Sequence, residues 1–164
     1  MLKLFLLRHA KSSWDDVALN DFDRPLNKRG VKDAPLMGKY FSKDYNKPQL
    51  IISSPARRAR ETAELFAESI DYKIDKILFD KHIYEATLED LVSIVLKIED
   101  SYEKVMIVGH NPAFTELANY LAEKATIDNI PTCGIFALEF KVKSWRKIDR
   151  KSGALLSFDY PKNH

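Results

Sequence analysis

The chain has 164 residues, 45% of them hydrophobic, enough for one well-cored domain spanning residues 1–164 and short for two. Its 26 Lys and Arg against 24 Asp and Glu leave a net charge of +2, too balanced for a nucleic-acid or anionic-membrane surface, so any electropositive site has to be local. No stretch approaches the roughly 20 apolar residues that span a bilayer, which predicts a cytoplasmic protein, and a single cysteine, Cys133, excludes both an internal disulfide and a thiolate metal cluster.

Strand-like and helix-like segments alternate, which predicts a three-layer α/β/α fold around a mainly parallel sheet. The first apolar run, Leu4-Phe5-Leu6-Leu7, reads as a buried strand and ends abruptly in Arg8 and His9. A helix is predicted from about Asn27 to Phe41, with Asn27 as N-cap and Val31, Ala34, Gly38 and Phe41 near one face; Pro35 predicts a kink or a late start. Strand Leu50-Ile51-Ile52 leads into a second helix, capped by Ser54 with Pro55 in its first position, in which Ala59, Ala63, Phe66 and Ile70 share a face. A short strand near Ile77 to Phe79 precedes a third helix from about Leu88 to Ile98, striped by Leu91, Val92, Val95 and Ile98. Strand Val105-Met106-Ile107-Val108 runs into Gly109-His110-Asn111-Pro112, where Asn111 and Pro112 open a fourth helix that turns Phe114, Leu117, Ala118 and Leu121 inward. The last third turns β-like, with strands over Gly134 to Val142, Trp145 to Ile148 and Ala154 to Phe158. Cys133 reads as a small buried hydrophobe.

Open α/β sheets gather ligands at the carboxyl ends of their strands, and here two such ends carry His9 and His110. Between them in sequence, Ser53-Ser54-Pro55-Ala56-Arg57-Arg58-Ala59-Arg60-Glu61-Thr62 places arginines at the start of a helix. Two imidazoles beside guanidinium groups describe a pocket for a doubly charged tetrahedral anion, most simply a phosphoryl group. Helix N-termini after Ser54 and His110 are expected to add backbone N–H donors to it.

Three ordered motifs, Leu7-Arg8-His9-Ala10, Ser54 through Thr62, and Gly109-His110-Asn111-Pro112, resemble those of the histidine phosphatase superfamily, whose fold is phosphoglycerate-mutase-like. The compact length, the opening Arg8-His9-Ala10-Lys11-Ser12-Ser13-Trp14, and Asp23-Arg24-Pro25-Leu26 with Gly30 following resemble the SixA branch, which acts on phosphohistidine. That resemblance implies attack on phosphorus by neutral His9, a covalent phosphohistidine intermediate, and its hydrolysis by water. It implies that Arg8, Arg58 and His110 surround the phosphoryl oxygens, and no cofactor or metal is expected if these donors supply the positive charge. Arg58 is chosen over Arg57 because the family's arginine is followed by a small residue and, four positions on, by threonine, here Ala59 and Thr62; Arg57 and Arg60 then read as solvated. A metal hydrolase is disfavoured because no ligand pattern such as His-Glu-x-x-His is present.

Ser12 and Asp15 stand where the superfamily often has substrate- or loop-ordering polar residues, and Ser12 joins the expected substrate contacts. Asp23 and Arg24 read as a loop ion pair, Trp14 as either a mouth residue or an aromatic packed over the core, and His164 as part of a loose tail. Relatives acting on esters carry a carboxylic acid after the third strand; here Asp80, His82 and Glu85 compete for that role, with Glu85 preferred for its Tyr84-Glu85-Ala86 context. Expelling an alkoxide needs such a proton donor, whereas imidazole, with a conjugate-acid pKa of about 6.5, leaves phosphorus readily at neutral pH. The expected partner is a protein bearing phosphohistidine. A small phosphate ester is the alternative substrate, and a noncatalytic phosphate-binding module the alternative class.

Overall fold

The computed structural model describes residues 1–124 and 126–164. Six strands, β1 (Leu2–Arg8), β2 (Leu50–Ser53), β3 (Leu78–Phe79), β4 (Lys104–Gly109), β5 (Ile135–Phe140) and β6 (Gly153–Asp159), form one mixed sheet in the order β3-β2-β4-β1-β5-β6. The pairs β3–β2, β2–β4 and β4–β1 are parallel, while β5 runs antiparallel to both β1 and β6. Buried runs such as Leu4–Leu7 and Val105–Val108 are apolar at every position because helices cover both faces, as parallel strands require.

Four helices supply those layers: α1 (Lys28–Asp44), α2 (Arg57–Ser69), α3 (Leu88–Leu96) and α4 (Ala113–Leu121). Phe5, Leu7, Ile51, Met106 and Val108 pack with Met37, Phe41, Ala63 and Phe66 of α1 and α2. Leu4, Leu6, Ile52, Val105 and Ile107 pack with Leu91, Val95, Phe114 and Leu117 of α3 and α4 on the opposite face. Alternate residues of each strand thus feed two cores, the signature of a three-layer α/β/α molecule.

Local chemistry explains the helix ends. Asn27 caps α1 by accepting from the Gly30 amide, and Thr87 and Asp90 form a reciprocal capping box on α3. α1 does not start late: it runs from Lys28 through Pro35 to Asp44. Val31, whose carbonyl Pro35 leaves without an amide partner, lies on the solvent side at 49% exposure, so it is not part of the predicted inner face. α2 starts at Arg57 instead of Pro55, with Ser54 Oγ accepting from the Ala56 amide at 3.2 Å just before it; α4 starts at Ala113, after Pro112. Residues Trp145–Lys147 form a 3-10 turn where a strand was expected, because Trp145 is fully buried and its indole N–H donates to the Tyr102 carbonyl at 2.6 Å. The tail is packed too: the His164 ring stacks on Tyr40 at 3.5 Å and bonds to Asp159 at 2.8 Å. Cys133 is buried, as expected. Among the described residues no helix is long and apolar enough to cross a membrane.

Candidate active site

Sheet register brings the sequence motifs together. Arg8 at the end of β1 pairs with Gly109 at the end of β4, and Ser53 at the end of β2 pairs with Val108. The loops that follow continue the ladder, with the His9 amide donating to the Gly109 carbonyl at 2.9 Å and the Ser54 amide to the Val108 carbonyl at 2.9 Å. His9, Ser54 and His110 therefore emerge side by side at one edge of the sheet. Gly109 has to be glycine, since a Cβ there would stand 2.6 Å from the Phe114 ring and 2.7 Å from Ile83.

The two imidazole centroids are 5.3 Å apart, tilted by 52°. His9 Nδ1 lies 2.7 Å from the Ala10 carbonyl, which only accepts, so Nδ1 carries the proton and Nε2 presents a lone pair. Burial lowers the His9 pKa to about 3, with the positive field of His110, Arg58 and Arg8 acting in the same direction against the Ala10 hydrogen bond. His110 is lowered to about 4, chiefly by burial and then by the Arg58 charge. Both rings are neutral at pH 7. His110 Nε2 meets the Ser54 hydroxyl at 2.8 Å, and its Nδ1 is buried without a partner.

Two arginines flank the rings. Arg8 Nη1 donates to the Ile130 carbonyl at 2.8 Å, a carbonyl that also accepts from Asn111 Nδ2 at 3.0 Å. Arg58 is 7% exposed and held by Asp21: Nη1 donates to the Asp21 carbonyl at 2.7 Å and Nη2 to its carboxylate at 3.0 Å. The same carboxylate accepts from the Tyr84 hydroxyl at 2.7 Å and pairs with Arg24 at 3.2 Å. Partial burial pushes the Asp21 pKa up, but the Tyr84 and Arg58 hydrogen bonds, the Arg58 charge and the Arg24 hydrogen bond outweigh it and hold Asp21 at about 2. Nε of both Arg8 and Arg58 is buried without an acceptor. Thr62 ties the loop to the helix, accepting from the Ala10 amide at 2.9 Å and donating to the Arg58 carbonyl at 2.7 Å. A cleft of about 360 Å³ opens here, lined by Asp21, Arg58, Ile83, Tyr84, Glu85, Ala86, His110, Asn111, Pro112 and Ala113.

The structure thus brings Arg8, His9, Arg58 and His110 together and sets Glu85 on the cleft's edge, exposed and in a left-handed backbone conformation (φ 54°). It does not bring in Asp80 and His82, which bond to each other at 3.0 Å and border a separate groove against α3. Ser12 is buried and accepts from Arg24 Nη1 at 2.9 Å, ordering the loop; Asp15 is exposed. The Arg24 ion pair is with Asp21, not Asp23. Arg57 and Arg60 form exposed i,i+4 pairs with Glu61 and Glu64. Sequence reasoning overlooked Asp21, Tyr84, Ser54 as the His110 partner, and the Ile130 carbonyl. Only Asp21 left a signal, as one more acid in the polar turn before Arg24-Pro25. Among the described residues no three His, Cys, Asp or Glu side chains are grouped to hold a metal.

Paired neutral imidazoles at parallel strand ends, flanked by half-buried Arg8 and buried Arg58 beside a small cleft, suit a phosphoryl group, and the fold is phosphoglycerate-mutase-like. Residues 4–90 match the model of the histidine phosphatase superfamily (branch 1), and the chain belongs to that superfamily. By family it is a phosphatase, and its fold is that of the SixA proteins. It is similar to SixA of Agrobacterium tumefaciens, with 27% identity, TM-score 0.83 and 98% of each chain covered. The protein histidine phosphatase SixA complexed with tungstate shares the fold at TM-score 0.84 and 17% identity over 99% of each chain. An uncharacterized chloroplastic protein of Arabidopsis thaliana is 35% identical over 159 residues, covering 92% of this chain and 72% of that protein.

Proposed function

We propose that residues 1–164 act as one cytoplasmic domain that hydrolyses phosphohistidine on a partner protein, in signal transduction, through a phosphohistidine intermediate on His9. The observation that carries this reading is the His9 imidazole: neutral, with Nδ1 fixed on the Ala10 carbonyl and the Nε2 lone pair free beside His110. His9 Nε2 attacks phosphorus and forms a new P–N bond as the substrate's P–N bond breaks; the substrate ring, already protonated from solvent on its other nitrogen, takes the bonding pair and leaves as neutral imidazole. Water then attacks phosphorus, releasing phosphate and restoring His9. Arg8 and Arg58 neutralise the equatorial oxygens. The incoming dianion raises the His110 pKa, making that ring a donor as well, so the charge stabilisation is metal-independent.

The acids at the cleft favour phosphohistidine over an ester. Asp21, held near pKa 2, stays ionised and cannot give a proton to an alkoxide, and Glu85 stands exposed at the edge. An imidazole leaving group needs no strong acid. The similar SixA proteins are named as phosphohistidine phosphatases, in agreement with this choice. Because Glu85 does border the cleft, a small phosphate ester with Glu85 as the acid is the second reading.

The test is phosphate release by the wild type and His9→Ala from a phosphohistidine-bearing protein and from a panel of small esters. Rapid release from phosphohistidine that falls by at least on the order of 10⁴-fold in His9→Ala, with phosphate or vanadate binding partly kept by Arg8, Arg58 and His110, is expected. Preference for esters selects the second reading, binding without turnover indicates a noncatalytic module, and activity retained in His9→Ala rules out the covalent route.

A further inference from the structure

The segment from Ser13 to Asp23 carries large apolar side chains outward: Trp14 is 69% exposed, Val17 94% and Phe22 38%. Three such residues within nine positions bring the fold nothing, since none joins either core. They are nevertheless fixed to the site. The Arg24 guanidinium lies 3.5 Å over the Trp14 ring, Arg24 pairs with Asp21, Asp21 clamps Arg58, and Phe22 meets Tyr84 edge-on at 5.1 Å. The stack on Arg24 limits the rotamers of Trp14, so ordering it against a partner costs little. The cleft itself, about 360 Å³, holds little more than a phosphorylated side chain. A protein substrate needs a far larger contact, roughly 800 Å² on each partner, and it has to be built from what surrounds the cleft.

Resting on the phosphohistidine reading, we propose that this segment is the docking rim for the substrate protein, with Trp14 as its anchor and Val17 and Phe22 as flanking contacts. Trp is the side chain most enriched among residues that dominate interface energies. The polar neighbours set the partner's chemistry. Asp15, Asp16 and Asp23 are exposed and make no salt bridge among the described residues, while Arg24 is buried beneath them. The matching surface is therefore an apolar patch flanked by Lys or Arg next to the phosphohistidine, not an acidic one. A small ester or free phosphohistidine enters the cleft without meeting Trp14, Val17 or Phe22, none of which lines it.

Three probes separate these statements: free phosphohistidine, a phosphohistidine peptide of about 15 residues with Leu and Lys flanks, and the same peptide with Ser and Glu flanks. The wild type is expected to favour the Leu/Lys peptide over the Ser/Glu peptide by about tenfold in kcat/KM. Val17→Lys, at a position that packs against nothing, should cut that preference several-fold and leave free phosphohistidine unchanged. Trp14→Ala should lower kcat/KM for the Leu/Lys peptide about tenfold, and more than for free phosphohistidine. Equal wild-type rates on the two peptides overturn the docking rim, as does a Trp14→Ala loss that is the same on peptide and free phosphohistidine. If the wild type hydrolyses none of the three in a His9-dependent way, the phosphohistidine reading fails first and the rim with it.

Discussion

The strand-end floor of the site, whose Arg8 and His9 lie beside the cleft and do not line it, and the roof over the cleft are held by different means. On the floor, Arg8, His9 and His110 continue β1 and β4, and their positions follow from ladder hydrogen bonds that any sequence forming this sheet would make. In the roof, one carboxylate, Asp21, gathers Arg24, Arg58 and Tyr84 from three separate parts of the chain. In the proposed mechanism the floor supplies the reacting groups, while the roof supplies charge through a network that depends on a single residue. Losses in the floor should therefore strike the chemical step, and losses in the roof should strike binding of the anion.

Arg58→Ala breaks the roof at its largest charge. Removing one oxyanion donor typically costs 10²–10³-fold in rate, so kcat/KM should fall by on the order of 10²-fold and vanadate binding should weaken with it. Asp21→Asn keeps the shape but removes the clamp's charge, so Arg58 stays present but less well oriented. A loss of about tenfold, carried mostly by KM, is expected from steady-state kinetics. An Asp21→Asn loss carried wholly by kcat would contradict the division between floor and roof.

Acidity tests the floor. His9 at about 3 and His110 at about 4 both lie below the ordinary value of 6.5, so the unfolded chain binds protons that the folded one refuses. Stability should decline as pH falls below about 6.5, by up to about 2 kcal/mol per imidazole at pH 5, and the decline levels off below the folded values. The roof responds lower still: Asp21, shifted from 3.8 to about 2, loses its contribution as pH falls through that interval. Thermal melts from pH 7 to pH 5 should show a shallower slope for His9→Asn and for His110→Asn than for wild type. Unchanged slopes would mean that neither ring is held neutral by burial.

The same division explains what the sequence makes legible. Apolar runs ending in Arg8-His9 and Gly109-His110 reveal the floor, because strand periodicity and strand direction are local properties and parallel strands bring their ends together. Helix α2 is legible in the spacing of Ala59, Ala63, Phe66 and Ile70, and Arg58 in the register of the family motif, but Ser54 as the hydroxyl on His110 could not be read, since a serine before Pro55 looks like a helix cap. Tyr84 and Asp21 are 63 residues apart, and only the tertiary fold shows that their side chains meet. The 3-10 turn at Trp145 was misread for a related reason: β-like composition is local, while burial of one indole against the Tyr102 carbonyl is not.

Glu85→Gln gives the smallest expected effect and the sharpest reading of the leaving group. Glu85 borders the cleft from an exposed, left-handed turn and belongs to neither the floor ladder nor the Asp21 network. With imidazole as leaving group the amide should turn over within about twofold of wild type, because little proton transfer to the leaving nitrogen is needed in the transition state. If the physiological reaction releases an alkoxide, the same change removes a general acid, and such losses run to about 10²–10⁴-fold. The two magnitudes are far enough apart that one rate comparison on matched phosphohistidine and phosphomonoester substrates separates them. A large loss on esters with none on phosphohistidine would show that one cleft supports both reactions with different demands on Glu85.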